Sequence, residues 1–174
     1  MARIPYADCS RAAVRPLADR IIAERGELLH LYQMLMHSAP IAEGWLTYLT
    51  AIRQKSSLSG ALREMIIMRV AHLNNAPYEA DQHAPIALRE GMSQAQLDAL
   101  SDWTSSPFFD GRQRAVLAYT DAMTRQVQVP DPVFAEISAL FTPEQIVEIT
   151  ATVAAYNMVS RFLEALQIHT HDAR

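Results

Sequence analysis

The spacing of apolar residues between helix-start signals constrains the fold of this chain most strongly. Ser93, Asp110 and Thr142 are each followed three residues later by a glutamine, the pattern of a capping box that opens a helix. Between such signals the apolar residues recur every three to four positions, and no segment alternates as a strand with hairpin turns would. Glycine is scarce, at 5 of 174 residues. The sequence therefore predicts an all-α fold.

About eight helices are expected, and their ends follow from prolines, serines and asparagines. The Ser38–Pro40 interruption should end a first helix that begins near Leu17, and Pro40 suits the first turn of a second. The last helix should be the longest, running from Thr142 to Leu166. The remaining predicted helices span 59–73 with Ser59 as cap, 77–91, the segments after Ser93 and Asp110, and 133–140.

Length and composition limit the class of protein. A chain of 174 residues is one domain's worth and can bury roughly 70% of its extended surface. Half of the residues are apolar, which excludes a disordered chain. No apolar run approaches the ~18 residues of a membrane span, and no signal peptide is recognisable, so we expect a cytoplasmic protein. A net charge of −4 without a basic cluster argues against nucleic acid as a partner.

The segment Met65–Met68 is apolar around a full helical turn, which is typical of a helix buried on all sides. Two interpretations follow. The helix lies at the centre of the chain's own core, or it lies at the centre of an oligomer.

Glu64, just before this apolar turn, is the first candidate for chemistry. A carboxylate at the edge of a buried segment loses solvation, so we expect its pKa to be raised and the group to act as a base near neutrality. The alternative is an ion pair with Arg63 or Arg69 on a solvated face.

Glu79 and His83 form a second candidate group at the start of the next helix. They are four residues apart and so share one helix face, where a carboxylate can hold an imidazole in one tautomer. An ordinary surface pair is the alternative. His72 follows Glu64 by eight residues and could join this cluster, but the spacing matches no metal motif. We therefore expect neither a metal nor a cofactor.

These residues, taken as one string, resemble the carboxymuconolactone decarboxylase family, which includes the AhpD-type alkylhydroperoxidases. The family motif is a glutamate, eleven intervening residues, and Cys-x-x-Cys-x-x-x-His. Glu64 and His83 occupy the glutamate and histidine positions, whereas the cysteine positions fall on Ala76 and Glu79. The chain thus resembles a branch of the family that lacks the two cysteines. The resemblance extends over residues 40–168, preceded by an N-terminal arm at 1–16.

The resemblance implies an all-helical fold that assembles into a homo-oligomer, a trimer or a hexamer, with the glutamate and histidine in a pocket near subunit contacts. It does not settle the reaction. Family peroxidases use their two thiols, which are absent here, and Cys9 is the only cysteine. What remains is the acid–base chemistry of the decarboxylase members, in which charge delocalises into a carbonyl or lactone.

On this resemblance we expect a lyase or isomerase that acts on a small carbonyl or lactone carboxylic acid. His83 would donate and accept the proton, Glu79 would orient it, and Glu64 would be the second acid or base. The expected substrate-binding residues are His72, Tyr78, Tyr156 and Arg161, the last as an anion anchor or simply in a salt bridge. Two alternatives are a redox protein of the hydroperoxidase type and a non-catalytic, ligand-binding member of the fold.

Overall fold

A computed structural model describes residues 1–172 of the chain, and within them it contains nine α-helices and no strand. This confirms the predicted all-α class. The helices are α1 (Arg15–Arg25), α2 (His30–Leu35), α3 (Ala39–Thr50), α4 (Gly60–Leu73), α5 (Pro77–Arg89), α6 (Gln94–Ala99), α7 (Gly111–Gln126), α8 (Asp131–Leu140) and α9 (Pro143–Leu166).

The three predicted capping boxes are present at the starts of α6, α7 and α9. In each, the side chain of Ser93, Asp110 or Thr142 accepts a hydrogen bond from the backbone N–H three residues on, and the glutamine there returns one. Ser59 also caps α4, accepting from the N–H of Leu62 at 3.3 Å. These contacts satisfy N–H groups that have no partner inside the helix.

The expected single helix from Leu17 to Leu35 is wrong. The chain forms two helices there, because Gly26 ends α1 with a φ of 86°, a left-handed conformation that glycine adopts without steric cost. Residues 26–29 then separate α1 from α2. The apolar spacing continued across this break and concealed it.

Helix α4 lies at the centre of the fold and contacts α5, α7 and α9. Met65–Met68 are at most 4% exposed, and this burial is achieved within a single chain. The interpretation that the apolar turn packs into the chain's own core is therefore sufficient, and it requires no second subunit.

Helix α3 does not end regularly but continues as one π-helical turn over Ala51–Lys55. A π turn inserts an extra residue and changes the direction in which the following side chains leave the helix; such turns are frequent at functional sites. Arg53 lies in the middle of this turn.

The N-terminal segment packs against its own chain. The N–H of Ala7 donates to the carbonyl of Gln33, and the Tyr6 hydroxyl donates to Asp172 at 2.7 Å. Tyr6 also packs on the ring of His30, with 4.9 Å between ring centres. Among the described helices, none combines the length and the apolar character needed to cross a membrane.

Candidate functional site

Glu64 and His83 face each other across the α4–α5 contact. Oε2 of Glu64 lies 2.6 Å from Nδ1 of His83, and Oε1 of Glu64 accepts a hydrogen bond from Nε of Arg63 at 3.3 Å. Glu64 is fully buried, and His83 is 7% exposed. The carboxylate therefore holds the imidazole through Nδ1 and leaves Nε2 as the nitrogen for chemistry.

The environment of the pair favours an ionised carboxylate on Glu64 and a neutral imidazole on His83. Burial alone would raise the pKa of Glu64, but the hydrogen bond from His83 and the charges of Arg53 and Arg63 outweigh it and lower that pKa. Burial lowers the pKa of His83 below its ordinary 6.5, and Glu64 opposes this only in part. The raised pKa expected for Glu64 is thus wrong, since loss of solvation is not the only influence on a carboxylate that is hydrogen-bonded.

Glu79 is the second buried carboxyl group of the site, and its environment has the opposite effect. It is 2% exposed, and burial raises its pKa to about 8, with the negative charge of Glu164 adding to the shift and a hydrogen bond with Ser160 opposing it. Near neutral pH this group is therefore mainly a protonated acid.

Ser160 of α9 is the hydrogen-bond partner of Glu79. The Ser160 hydroxyl lies 2.5 Å from Oε2 of Glu79 and 2.8 Å from the carbonyl oxygen of Tyr156, one helical turn earlier. A hydroxyl has one proton, so Ser160 can donate to only one of these two oxygens at a time, and Glu79 therefore has only a shared hydrogen bond to offset its burial. The other oxygen of Glu79, Oε1, is buried without a hydrogen-bond partner among the described residues.

Glu79 and His83 line an inner cavity, whereas their partners Ser160 and Glu64 do not, and the volume of this cavity is about 40 Å³. This is room for a few water molecules, so without movement it can hold only the reacting part of a substrate. Its apolar wall consists of Leu29, Leu31, Leu49, Val159 and Leu163, and its polar lining of Tyr32, Arg53, Tyr78, Glu79, Gln82, His83 and Tyr156.

An outer cavity of about 280 Å³ adjoins the inner one, and the two share Leu29, Arg53, Gln82 and His83. Arg25 and Arg89 also line the outer cavity, together with Glu24 and Glu27. Its wall therefore carries three cations and two carboxylates. His83 and Arg53 are the two charged or titratable residues common to both cavities.

The structure places two of the expected substrate-binding residues in the inner cavity. Tyr78 and Tyr156 are 4% and 1% exposed, and both line it. The Tyr156 ring meets the His83 ring edge to face, with centres 5.1 Å apart. Burial also raises the pKa of Tyr156, so its hydroxyl keeps its proton.

His72 and Arg161 lie outside both cavities. Eight residues separate His72 from Glu64 on α4, which amounts to ~12 Å along the helix axis. Arg161 is exposed, and its guanidinium donates to the side chain and carbonyl of Asn157 on its own helix, at 2.6 and 3.1 Å. His72 is thus too far along α4 to reach Glu64, and Arg161 lies on a different face of α9 from Tyr156.

The expected role of Glu79 as the group that orients His83 is also corrected. The two are four residues apart on α5, yet the His83 ring is held by Glu64 of α4, and Glu79 contacts Ser160 of α9. Spacing on one helix places two side chains on one face, but the groups packed against that face decide which contacts form.

Four further residues belong to the site although the sequence did not indicate them: Tyr32, Arg53, Gln82 and Ser160. Ser160 had a recognisable signal, because it follows Tyr156 by one helical turn and so points from α9 in the same direction. Arg53 had none: its position depends on the π turn, which no residue pattern in 51–55 marks.

Cys9 is remote from the site. It lines neither cavity, its thiol contacts the carbonyl of Ala7 at 3.4 Å, and burial raises its pKa, which disfavours the reactive thiolate. Across residues 1–172, no group of three or more His, Cys, Asp and Glu side chains is arranged to hold a metal ion.

Comparison with known proteins identifies relatives of this chain. Residues 39–122 match the model of the Carboxymuconolactone decarboxylase family. The chain is 29% identical over 127 residues to the uncharacterized protein YnjA of Escherichia coli K12, a match that spans 72% of this chain and just under two thirds, 66%, of that protein. It is also 24% identical to the uncharacterized protein YdfG of Bacillus subtilis 168, over 65% of this chain and 78% of that one.

Solved structures share the fold. An uncharacterized peroxidase-related protein from Ralstonia eutropha JMP134, described as an alkylhydroperoxidase AhpD core, superimposes with a TM-score of 0.84 at 19% identity and covers 98% of this chain and 93% of its own. The debrominase Bmp8, in complex with 2,3,4-tribromopyrrole, gives 0.81 at 18% identity, over 96% and 92%.

The matched segment contains Glu64, Glu79 and His83, whereas Tyr156 and Ser160 lie beyond it on α9. The helical architecture of the whole chain agrees with that of the AhpD-type structure. Residues 39–122 of this chain are therefore similar to the carboxymuconolactone decarboxylase family, and the chain has an AhpD-like fold.

Proposed function

We propose that this protein is a cofactor-free acid–base enzyme, a lyase or isomerase that acts on a small carboxylic acid containing a carbonyl or lactone group. The observation that carries the proposal is a pair of buried carboxyl groups in two different environments: Glu64 is hydrogen-bonded to His83, which lowers its pKa, whereas burial raises the pKa of Glu79 to about 8. Environments that push two pKa values apart assign one group to base chemistry and the other to acid chemistry.

In this mechanism the neutral imidazole of His83 is the base. Glu64 accepts a hydrogen bond from Nδ1–H, fixes the tautomer and stabilises the imidazolium that forms when Nε2 takes a proton from carbon. Glu79 acts as the acid and hydrogen-bonds to the carbonyl oxygen on which negative charge develops. Tyr156 is a second donor near the same oxygen, because its hydroxyl stays protonated.

The same groups serve two reactions. In isomerisation, His83 removes the α-proton and returns it to another carbon of the enolate. In decarboxylation, the C–C bond breaks, CO₂ leaves, its electron pair enters the carbonyl to form the enolate, and an acid of the site protonates the carbon. The apolar wall of the inner cavity favours the loss of charge from the leaving carboxylate.

The redox alternative, suggested by relatives that are named as an AhpD core and a debrominase, finds less support in this site. Glu79 and Ala76 occupy the positions of the two family cysteines, and the Cys9 thiol lies outside both cavities. The second cysteine position is thus taken by a protonated acid that forms part of the acid–base pair.

Proton exchange tests the proposal and does not require the substrate to be identified first. A panel of small keto acids and lactone acids is incubated with the protein in D₂O, and NMR follows deuterium entry at the α-carbon together with CO₂ release. We expect at least one acid to exchange or decarboxylate, and the rate to fall about 100- to 10,000-fold in His83→Gln and Glu79→Gln.

Circular dichroism of each variant verifies that it is folded. Arg161→Gln is the matched control, since this side chain lies outside the site. Full activity of a folded Glu79→Gln or His83→Gln variant, or no turnover of any acid by the wild type, would contradict the proposal.

A further inference from the structure

The position of Arg53 indicates which class of molecule the site accepts, a question that general acid–base chemistry alone does not answer. Arg53 is partly buried on the π turn at 51–55 and lines both cavities. No hydrogen bond or ion pair joins its guanidinium to another residue in the part of the chain that the structure describes. A half-buried guanidinium with all its donors available is uncommon, because burying a charge is costly without a partner.

The other two arginines of the outer cavity differ from Arg53. Arg25 donates to the Thr50 hydroxyl at 2.7 Å, and Thr50 donates in turn to Glu24. Arg89 is exposed and lines only the outer cavity. Arg53 is thus the arginine that an anion can reach while it also contacts the inner cavity.

The charge of Arg53 acts on the reacting groups themselves. It lowers the pKa of Glu64, of His83 and of Tyr156, three residues on three different helices. An anion bound to Arg53 therefore lies within electrostatic reach of the whole acid–base apparatus, and it would neutralise a positive charge that opposes protonation of His83.

We propose that Arg53 is the specificity-determining residue of this site and binds the carboxylate of the substrate where the two cavities meet. The inference rests on the proposed function, to which it adds the ligand class: small organic anions with a carboxylate one or two bonds from the reacting carbon. A guanidinium fork suits a planar carboxylate bidentately.

The geometry also decides which carboxylate binds there. A guanidinium stabilises the charge of the carboxylate that it holds and so opposes loss of that group as CO₂. The carboxylate on Arg53 is therefore one that the reaction keeps, while the reacting carbon faces His83 and Glu79 in the inner cavity. Arg53 replaces Arg161, the anchor that the sequence suggested.

Binding of crotonate and its neutral isostere crotonamide, measured by isothermal titration calorimetry, tests this assignment independently of turnover. We expect crotonate to bind the wild type more tightly than crotonamide. Arg53→Gln should weaken crotonate binding about 10- to 100-fold, the usual effect of losing charge-assisted hydrogen bonds, and change crotonamide binding less than about threefold. Arg53→Lys should recover part of the loss, and Arg161→Gln should bind both as the wild type does.

Equal binding of crotonate by the wild type and by folded Arg53→Gln would overturn the assignment, as would a wild type that does not prefer crotonate to crotonamide. If only Arg161→Gln lost crotonate binding, Arg161 would be the carboxylate-binding residue, as the sequence suggested, and not Arg53. The two proposals also fail separately. If crotonate binding depends on Arg53 but turnover is unaffected by Glu79→Gln, only the acid–base mechanism is contradicted. If turnover depends on Glu79 but crotonate binding does not depend on Arg53, only the role of Arg53 is contradicted.

Discussion

Nδ1 of His83 lies 2.6 Å from Oε2 of Glu64, and this hydrogen bond joins α5 to a fully buried carboxylate on α4. It makes His83 part of a dyad whose other nitrogen faces the site. Because Glu79, four residues earlier on α5, contacts Ser160 and not His83, the two carboxyl groups work in separate environments. The proposed function depends on this separation.

The rate of the enzyme should depend on pH through His83 and Glu79. Activity requires neutral His83, so kcat/KM should rise with pH through a pKa below 6.5. It also requires protonated Glu79, so kcat/KM should fall above about 8. Glu79→Gln should keep the acidic limb of the profile and lose the alkaline one. An unchanged alkaline limb in that variant would assign it to another group.

Glu79 should make the protein less stable as pH rises. Its pKa in the folded state, about 8, lies above the ordinary 4.5, so between these values the folded state holds a proton that the unfolded state has lost. The free energy of unfolding then falls with pH, by at most about 1.4 kcal/mol for each pH unit from this group.

Urea unfolding at a series of pH values measures this effect. Glutamine mimics the neutral acid, so the stability of Glu79→Gln relative to the wild type should increase between pH 4.5 and about 8. Glu136→Gln, at an exposed position on α8, should show no such trend. A parallel pH dependence in Glu79→Gln and the wild type would mean that Glu79 ionises normally.

The pKa of His83 should increase when Arg53 loses its charge. Arg53 and Arg63 lower the pKa of the imidazole, while Glu64 raises it. NMR titration of the His83 ring in Arg53→Gln should therefore show a shift towards higher pH, and Arg161→Gln should show none. A pKa that stays the same in Arg53→Gln would indicate that the guanidinium is turned away from the site.

The buried ion pair between Arg69 and Asp121 should be important for stability and unimportant for ligand binding. Nε and Nη2 of Arg69 donate to the two carboxylate oxygens at 2.6 and 2.7 Å, and Arg69 is 4% exposed. Asp121→Ala leaves a buried cation unpaired, so we expect a loss of about 3 kcal/mol in urea unfolding. Asp19→Ala removes an exposed pair with Arg15 and should cost less than about 1 kcal/mol. Equal losses of stability in Asp121→Ala and Asp19→Ala would contradict this ranking.

Most of the helical architecture could be predicted from local chemistry. The caps at Ser93, Asp110 and Thr142 depend on contacts within three residues, and the sequence shows them directly. The break at Gly26 was missed because the apolar spacing continues through it, although the glycine itself was a possible signal.

Only part of the membership of the site was predictable, and its pairing was not. Glu64, Glu79, His83, Tyr78 and Tyr156 do line or adjoin one cavity, but their pairing depends on which helices pack together. Spacing suggested Glu79 as the partner of His83, and tertiary packing supplied Glu64. The predicted direction of the Glu64 pKa shift was wrong for the same reason. The burial that raises this pKa can be predicted from an apolar run, whereas the side chains of His83 and Arg53 that lower it come from other segments of the chain.

The most direct test of the central claim is the protonation state of Glu79, measured by infrared spectroscopy in the region of the protonated carboxyl C=O stretch. Near neutral pH the wild type should show a carboxylic acid band that Glu79→Gln lacks and Glu64→Gln keeps, and this band should disappear as the pH rises through about 8. Absence of the band in the wild type, or its loss only in Glu64→Gln, would contradict the assignment of Glu79 as the acid and Glu64 as the ionised partner of His83.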